Sequence, residues 1–258
     1  MPALHEQYRP TVWADVVGQD AAIRQLDRVG RKGYGGRAYW FAGPSGTGKT
    51  TLARIIAGSV ADPLAIEESN GADLGVDDCR RMERDFQHPA LPWRDGGLTG
   101  RAWILNEAHL IRGAVLSRLL TTLEPEAGIP SGVVVAFTTT VKGQKRLFAG
   151  CEDAGPLVSR CTVIELADTP ASRLAFAQRA KLVAGLVGAD GLPDWAYTTV
   201  VDAEQGSLRA VLQTVESGEL WGRCAEILGE RLVGLPLDGK HNRERAELQG
   251  KLAELGPI

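Results

Sequence analysis

The chain has 258 residues, 44% of them apolar, which is enough to bury one large core and a smaller second one and excludes a disordered chain. Its formal net charge of −3 excludes a general basic coat, so any contact with nucleic acid would have to come from a local patch. Cys79, Cys151, Cys161 and Cys224 are widely spaced, without a C-x-x-C pair or a His at ligand spacing, and no leader or membrane-spanning stretch is evident, so free thiols, no zinc, no membrane and a cytoplasmic location are expected.

Taken in order, Tyr8 to Gln19 opens extended because Pro10 restricts the residue before it, and a helical pattern follows from Asp20 through Val29, with Asp20 placed to cap it. Gly30, Gly33, Gly35 and Gly36 break that helix and lead to Ala38–Ala42, an apolar run of strand length. Next comes Gly43-Pro44-Ser45-Gly46-Thr47-Gly48-Lys49-Thr50, which fits the phosphate-binding pattern G-x-x-x-x-G-K-[ST] of a Walker A P-loop. Thr51 follows, and Leu52, Ile55, Ile56 and Val60 recur at helical spacing, so the loop lies where a strand hands over to a helix N-terminus.

Pro63–Glu68 is a short strand candidate, followed by the turn signal Ser69-Asn70-Gly71 and a polar helix from Asp77 to Phe86. Gln87 to Gly100 reads as a loop. Ala102–Leu105 is a buried strand running into Asn106-Glu107-Ala108-His109, and the helix-spaced Leu110, Val115, Leu119, Leu120 and Leu123 continue until Pro125. Val133–Phe137, the most β-branched run, predicts a fully buried strand ending in Thr138, Thr139 and Thr140, and Val163–Leu166 is the last strand candidate. Strands alternating with helices predict an α/β fold, a parallel five-stranded sheet covered by helices. After about residue 168 only helices are expected: Pro170 to Val187, Pro193 to Asp202, Ser207 to Glu216, Trp221 to Val233 and Arg243 to Leu255.

Phosphoryl transfer needs a phosphate cradle, a metal, a group that orients the attacking water and positive charge near the leaving groups. In a parallel sheet, ligands bind at the carboxyl ends of the strands, where the P-loop, Asn106-Glu107 and Thr138–Thr140 would converge. The backbone N–H groups of Gly43–Thr50 would wrap the phosphates, Lys49 would reach the β and γ phosphates, and the Thr50 hydroxyl would ligate Mg²⁺. Glu107 is placed to polarise a water, and Thr139 to hydrogen-bond that water or the γ-phosphate.

Tyr8-Arg9-Pro10 with Val16-Val17-Gly18-Gln19, the P-loop, the Asn106–His109 box, Leu119–Pro125, Ser159-Arg160-Cys161 and Gly206-Ser207-Leu208-Arg209 together resemble a clamp-loader AAA+ ATPase. The bacterial gamma/tau subunit and the small subunits of replication factor C are the forms it resembles, over about four-fifths of the chain, and the Ser-Arg-Cys triplet is the most telling part. The resemblance implies ATP and Mg²⁺, with Tyr8, Arg9, Val16 and Val17 over the nucleotide. It makes Thr139 sensor 1, Arg209 sensor 2 on a lid helix, and Arg160 an arginine finger inserted into a neighbouring subunit's ATP site. It divides the chain into a nucleotide-binding domain over 1–167, a helical lid over 168–218 and a helical tail over 219–258. It implies a homo- or hetero-oligomer of AAA+ subunits acting on DNA, a sliding clamp or both, with Arg80, Arg81, Arg84 and Arg112 as candidates to grip DNA phosphates.

Three departures stand against the pattern. Asn106 occupies a position where the family usually has an Asp that orders Mg²⁺ through its waters; Asn keeps the acceptor oxygen and loses the charge. Only Cys79 lies where the gamma/tau subunit carries a four-cysteine zinc module. The forty or so residues after the lid are few for a collar of ordinary size. Besides a clamp-loader-type ATPase, two readings therefore stay open: an ATP-gated scaffold subunit with little hydrolysis, and a phage or mobile-element ATPase that remodels another partner.

Overall fold

The computed structural model describes residues 2–88, 90, 97–124, 128–140, 155–189, 191–236 and 240–255. They divide into two compact units, Pro10–Ala167 and Met1–Arg9 with Asp168–Ile258.

In Pro10–Ala167 the chain order is α2 (Asp20–Gly30), β1 (Arg37–Ala42), α3 (Lys49–Gly58), β2 (Ile66–Asn70), α4 (Val76–Gln87), β3 (Arg101–Asn106), α5 (Gly113–Thr122), β4 (Val133–Thr139), α6 (Gly155–Ser159) and β5 (Cys161–Glu165). The strands form one five-stranded sheet in the order β2-β3-β4-β1-β5, and every pairing is parallel. Parallel strands need helical crossovers, and those helices cover both faces, which is why β1, β3 and β4 read as unbroken apolar runs.

The two-residue side-chain period divides those runs between the faces. Trp40, Trp103, Leu105, Val135 and Phe137 meet Cys79 and Met82 of α4, Leu116 and Leu119 of α5, and Leu157 and Val158 of α6. Tyr39, Phe41, Ile104, Val134, Ala136 and Ile164 meet Ala22 and Leu26 of α2 and Leu52, Ala53, Ile56 and Ala57 of α3. Each large side chain stabilises by roughly 1.5–3 kcal/mol on burial, and Phe137→Ala, at a site with 0% exposure, would cost about 3–5 kcal/mol.

Local chemistry explains where the elements begin and end. Residues 63–65 are a 3₁₀ turn started by Pro63, and β2 runs from Ile66 through Ser69 and Asn70, which were expected in a turn. Parallel pairing with β3 carries the strand on to Asn70, opposite Asn106. Asp20 does not cap α2: the cap position is Gln19, whose side chain is engaged elsewhere, and Asp20 places its carboxylate in the first turn. The Gly75 N–H at the start of α4 is satisfied by the Asp78 carboxylate at 2.9 Å. α5 ends at Thr122, while Pro125, Cys151, Pro89 and residues 91–96 of the expected loop lie outside the described residues.

The second unit is helical: α1 (Leu4–Gln7), α7 (Pro170–Leu186), α8 (Asp194–Ala203), α9 (Leu208–Glu216), α10 (Leu220–Gly234) and α11 (Asn242–Leu255). Thr169 caps α7 and Ser207 caps α9, each accepting the N–H three residues on, at 3.2 and 3.3 Å. Its core is Phe176, Ala180, Val183, Tyr197, Val200, Val201, Val211, Cys224 and Leu228. α11 is tied to the rest by Trp221, which donates to the Leu255 carbonyl at 2.9 Å, and by Trp195, which donates to Glu254 at 3.0 Å. Among the described residues no helix is long and apolar enough to cross a membrane.

Candidate nucleotide site

The sheet delivers three polar segments to its carboxyl edge within Pro10–Ala167. The first is the loop between β1 and α3. Gly46 and Gly48 take φ of 74° and 104°, left-handed values that only glycine adopts without strain, and the loop thereby turns back on itself. A Cβ on Gly43 would come within 2.9 Å of Leu166, whereas one on Gly48 would meet nothing within 4 Å, so the open side of the loop lies at its last glycine. Lys49 is buried and donates to the Gly43 and Pro44 carbonyls at 2.9 and 2.6 Å, and Thr47 donates to Pro44 at 2.9 Å. The N-terminus of α3 has no side-chain cap and no acid in its first turn, leaving its N–H groups and its dipole to an anion. Pro44, Ser45 and Thr50 are at least partly accessible, while Thr51 turns into the protein. An uncapped helix start, a buried ammonium and glycine backbone fit a polyphosphate.

The second and third segments are the ends of β3 and β4. Asn106 Oδ1 accepts from the Thr50 hydroxyl at 3.0 Å and from the Thr138 hydroxyl at 2.8 Å. Its Nδ2 donates to Glu68 Oε1 at 2.6 Å, and Glu68 Oε2 accepts from Arg54 at 2.8 Å. Oxygen donors meeting at Thr50 and Asn106 suit a hard divalent cation such as Mg²⁺. The next residue, Glu107, has φ 50° and ψ 46°, a left-handed conformation rare for a non-glycine residue. Its carboxylate lies 3.4 Å from the Thr140 hydroxyl and 3.4 Å from His109 Nδ1. That same ring nitrogen is 3.1 Å from the hydroxyl of Thr139, which has 0% exposure. Glu107 can only accept, so a proton on Nδ1 is what makes that contact a hydrogen bond, whereas the Thr139 hydroxyl can meet the same nitrogen as acceptor or as donor.

Gly71 fixes the backbone of this box. Its N–H donates to the Asn106 carbonyl at 2.6 Å, and a Cβ there would lie 2.8 Å from the Glu107 carbonyl oxygen. Gln19, 1% exposed, holds the other flank: it accepts from Ala167 N–H at 2.7 Å and donates to the Ala167 and Thr47 carbonyls at 3.1 and 3.4 Å. Thr138 was expected at this strand end, whereas Gln19 and Glu68 carry no sequence signal of these roles. Only the lateral register of the strands and the return of β5 beside the P-loop create them.

The remaining expected residues divide between the two units, each described within its own. Val16 and Val17 are half-buried, Val16 packing on the α2–α3 face of the core. Tyr8 and Arg9 belong to the helical unit, where the Tyr8 carbonyl accepts from Arg179 and Arg9 pairs with Glu6. Arg209 belongs there too, exposed on the first turn of α9. Arg160, at the end of α6, donates to the Pro156 carbonyl at 2.8 Å and lies 3.7 Å from Glu124, with its Nε buried and lacking a hydrogen-bond partner among the described residues.

Of the arginines considered for DNA, Arg80 pairs with Asp77 at 2.7 Å, and Arg81 pairs with Glu67 at 2.8 Å and Asp78 at 3.1 Å and stacks over Trp103. Arg112 donates to the His109 and Ile111 carbonyls. Arg84 is exposed and has no ion pair among the described residues. Burial pushes the thiols of Cys79 and Cys224 up to about 11 and that of Cys161 to about 12, so they stay protonated, and among the described residues no cluster of His, Cys, Asp or Glu is built to hold a metal ion.

No protein-family model matches the chain. In sequence it is 33% identical over 159 residues to the DNA polymerase III subunit gamma/tau of Mycoplasma pneumoniae, a match that covers 53% of this chain and 22% of that one. It is 24% identical over 270 residues to the replication factor C small subunit of Natronomonas pharaonis, covering 97% of this chain and 77% of that one. The chain thus spans about a quarter of the length of the gamma/tau relatives it matches. In structure it is similar to the Thermotoga maritima RuvB Holliday junction branch migration motor, with a TM-score of 0.59 and 19% identity over 93% of this chain and 72% of that one. The parallel five-stranded sheet with its P-loop, followed in the chain by a helical unit, is therefore the AAA+ fold, and in sequence the chain resembles clamp-loader proteins.

Proposed function

We propose that the chain is a clamp-loader-type AAA+ ATPase subunit, in which ATP binding and hydrolysis at subunit interfaces are coupled to the handling of DNA or a sliding clamp during replication. The observation that carries most weight is the meeting of the P-loop Thr50 with Asn106 at 3.0 Å, beside Glu107, at the carboxyl edge of a parallel sheet. Sequence similarity to gamma/tau and replication factor C subunits supports the choice of process.

On this reading the loop Gly43–Thr51 with Lys49 binds the triphosphate, and Thr50 with Asn106 holds Mg²⁺, the latter through water. The metal, when bound, screens the charge on the phosphate oxygens during transfer. Glu107 takes the water's proton or orients it, and the Thr139 hydroxyl positions the same water or the γ-phosphate. Residues 168–218 act as the lid that presents Arg209, Tyr8 to Val17 lie over the base, and Arg160 completes the site of a neighbouring subunit. Arg84 is the arginine best suited to a DNA phosphate, since its neighbours on α4 are already paired with acids.

Steady-state hydrolysis with and without primed DNA tests the reading. Mg²⁺-dependent turnover above a Lys49→Ala control, stimulated by DNA under assembling conditions, is expected. Nucleotide binding with turnover no higher than that control would favour the scaffold reading, which Asn106 motivates. Arg160→Ala subunits should lose turnover alone and recover it when mixed with Glu107→Gln subunits, and unchanged turnover in Arg160→Ala alone would remove the finger.

A further inference from the structure

The metal side of the site lacks its expected carboxylate at residue 106, yet a carboxylate touches that residue. Glu68, on the neighbouring strand β2, accepts from Asn106 Nδ2 at 2.6 Å. The register explains how. Asn70 stands opposite Asn106 and Glu68 opposite Ile104, so Glu68 lies two residues back on the adjacent strand, where its side chain reaches diagonally to Asn106. A carboxylate can only accept, so it selects which end of the amide faces it. With Nδ2 committed to Glu68, Oδ1 must face Thr50 and Thr138, and both hydroxyls donate to it. The negative charge has moved one side chain outward and acts through the amide, whose orientation it fixes.

Resting on the reading of this site as an Mg²⁺–ATP site, we propose that Glu68 is the metal-side carboxylate: a positioning residue that holds the Asn106 oxygen on the cation's locus and supplies, at one remove, the charge that Asn106 lacks. Arg54 opposes it. Its Nε donates to the other Glu68 oxygen at 2.8 Å and withdraws part of that charge, so the pair sets the strength of the effect. A plain surface ion pair between the two would be worth little by itself.

The experiment is an equilibrium titration of full-length protein with a fluorescent ATP analogue, at fixed analogue and increasing Mg²⁺ and again in EDTA, with thermal melts to confirm folding. Glu68→Gln should raise the Mg²⁺ concentration for half-saturation by about 5- to 10-fold, the loss of one charge-assisted hydrogen bond, and leave affinity in EDTA unchanged. Arg54→Gln should shift the Mg²⁺ requirement in the opposite direction. Asn106→Asp alone sets two carboxylates against each other and should gain little. The swap Glu68→Gln with Asn106→Asp reverses the polarity of the same hydrogen bond and should bring the requirement back to the wild-type value or below. Superimposable wild-type and Glu68→Gln titrations, or a swap no better than Glu68→Gln, would overturn the proposal while leaving the nucleotide site standing. A wild-type protein that binds no analogue at all would remove the site and the proposal with it.

Discussion

The two halves of the candidate site, 106 and 107 on one chain segment, are built on different principles. On the metal side, Thr50, Thr138, Asn106, Glu68 and Arg54 form a chain in which each hydrogen bond has one sense, Asn106 Oδ1 accepting from both hydroxyls and its Nδ2 donating to Glu68. On the water side, Thr140 donates to Glu107, and His109 Nδ1 lies between the Glu107 carboxylate and the Thr139 hydroxyl, which can meet it as donor or as acceptor. The first has one hydrogen-bond polarity throughout, and the second contains an imidazole and a hydroxyl that can take either. On the proposed reading, the difference is that a charge absent from residue 106 is supplied from an adjacent strand where the polarity is fixed, whereas the groups beside the attacking water keep two options open.

The largest effect should fall on the water side. Glu107→Gln is expected to cut turnover by about 10²–10⁴-fold while leaving analogue binding and its Mg²⁺ dependence intact. Turnover within tenfold of wild type would mean that Glu107 is not the base, and the contrast between halves would collapse. Gly71→Ala strikes both halves, because the new Cβ would meet the Glu107 carbonyl oxygen at 2.8 Å and the Asn106 carbonyl oxygen at 3.2 Å. It should cost about 1–3 kcal/mol of stability, seen as a lower melting temperature, and should raise the Mg²⁺ requirement and lower turnover together. An effect on only one of the two would show that the halves are mechanically separate.

Much of this was legible beforehand. Val133–Phe137 and Ala102–Leu105 announced buried parallel strands because both of their faces are covered, and the P-loop pattern located the phosphate end of the sheet. That the P-loop and Asn106-Glu107 would converge followed from the polarity of a parallel sheet, though not the direct contact of Thr50 with Asn106. What sequence could not carry was lateral: Ser69 and Asn70 look like a turn until β3 lies beside them, and Glu68 looks like a solvated acid until register brings it to Asn106. Gln19 likewise gains its meaning from residue 167, some 148 positions away.

His109→Ala sharpens the contrast further, with a smaller effect of about 3- to 10-fold on turnover, the worth of one hydrogen bond, and none on Mg²⁺-dependent binding. A change in the Mg²⁺ requirement would place His109 in the fixed half instead. Smallest of all, and outside both halves, Arg84→Ala should weaken DNA binding modestly and evenly across sequences and reduce the salt slope by about 1. Arg80→Ala should do less, because Asp77 already holds that guanidinium. Equal losses for the two would show that the acids of α4 release their arginines to DNA.

Gln19 ties two places that the chain visits far apart. Its amide holds the Thr47 carbonyl in the phosphate loop and both polar groups of Ala167, the last residue before the chain leaves for the helical unit. In mechanical terms it is a three-point contact, with two short bonds to Ala167 and a longer one, 3.4 Å, to the loop. One amide at the start of α2 thus touches both the phosphate loop and the residue at which the chain leaves this unit.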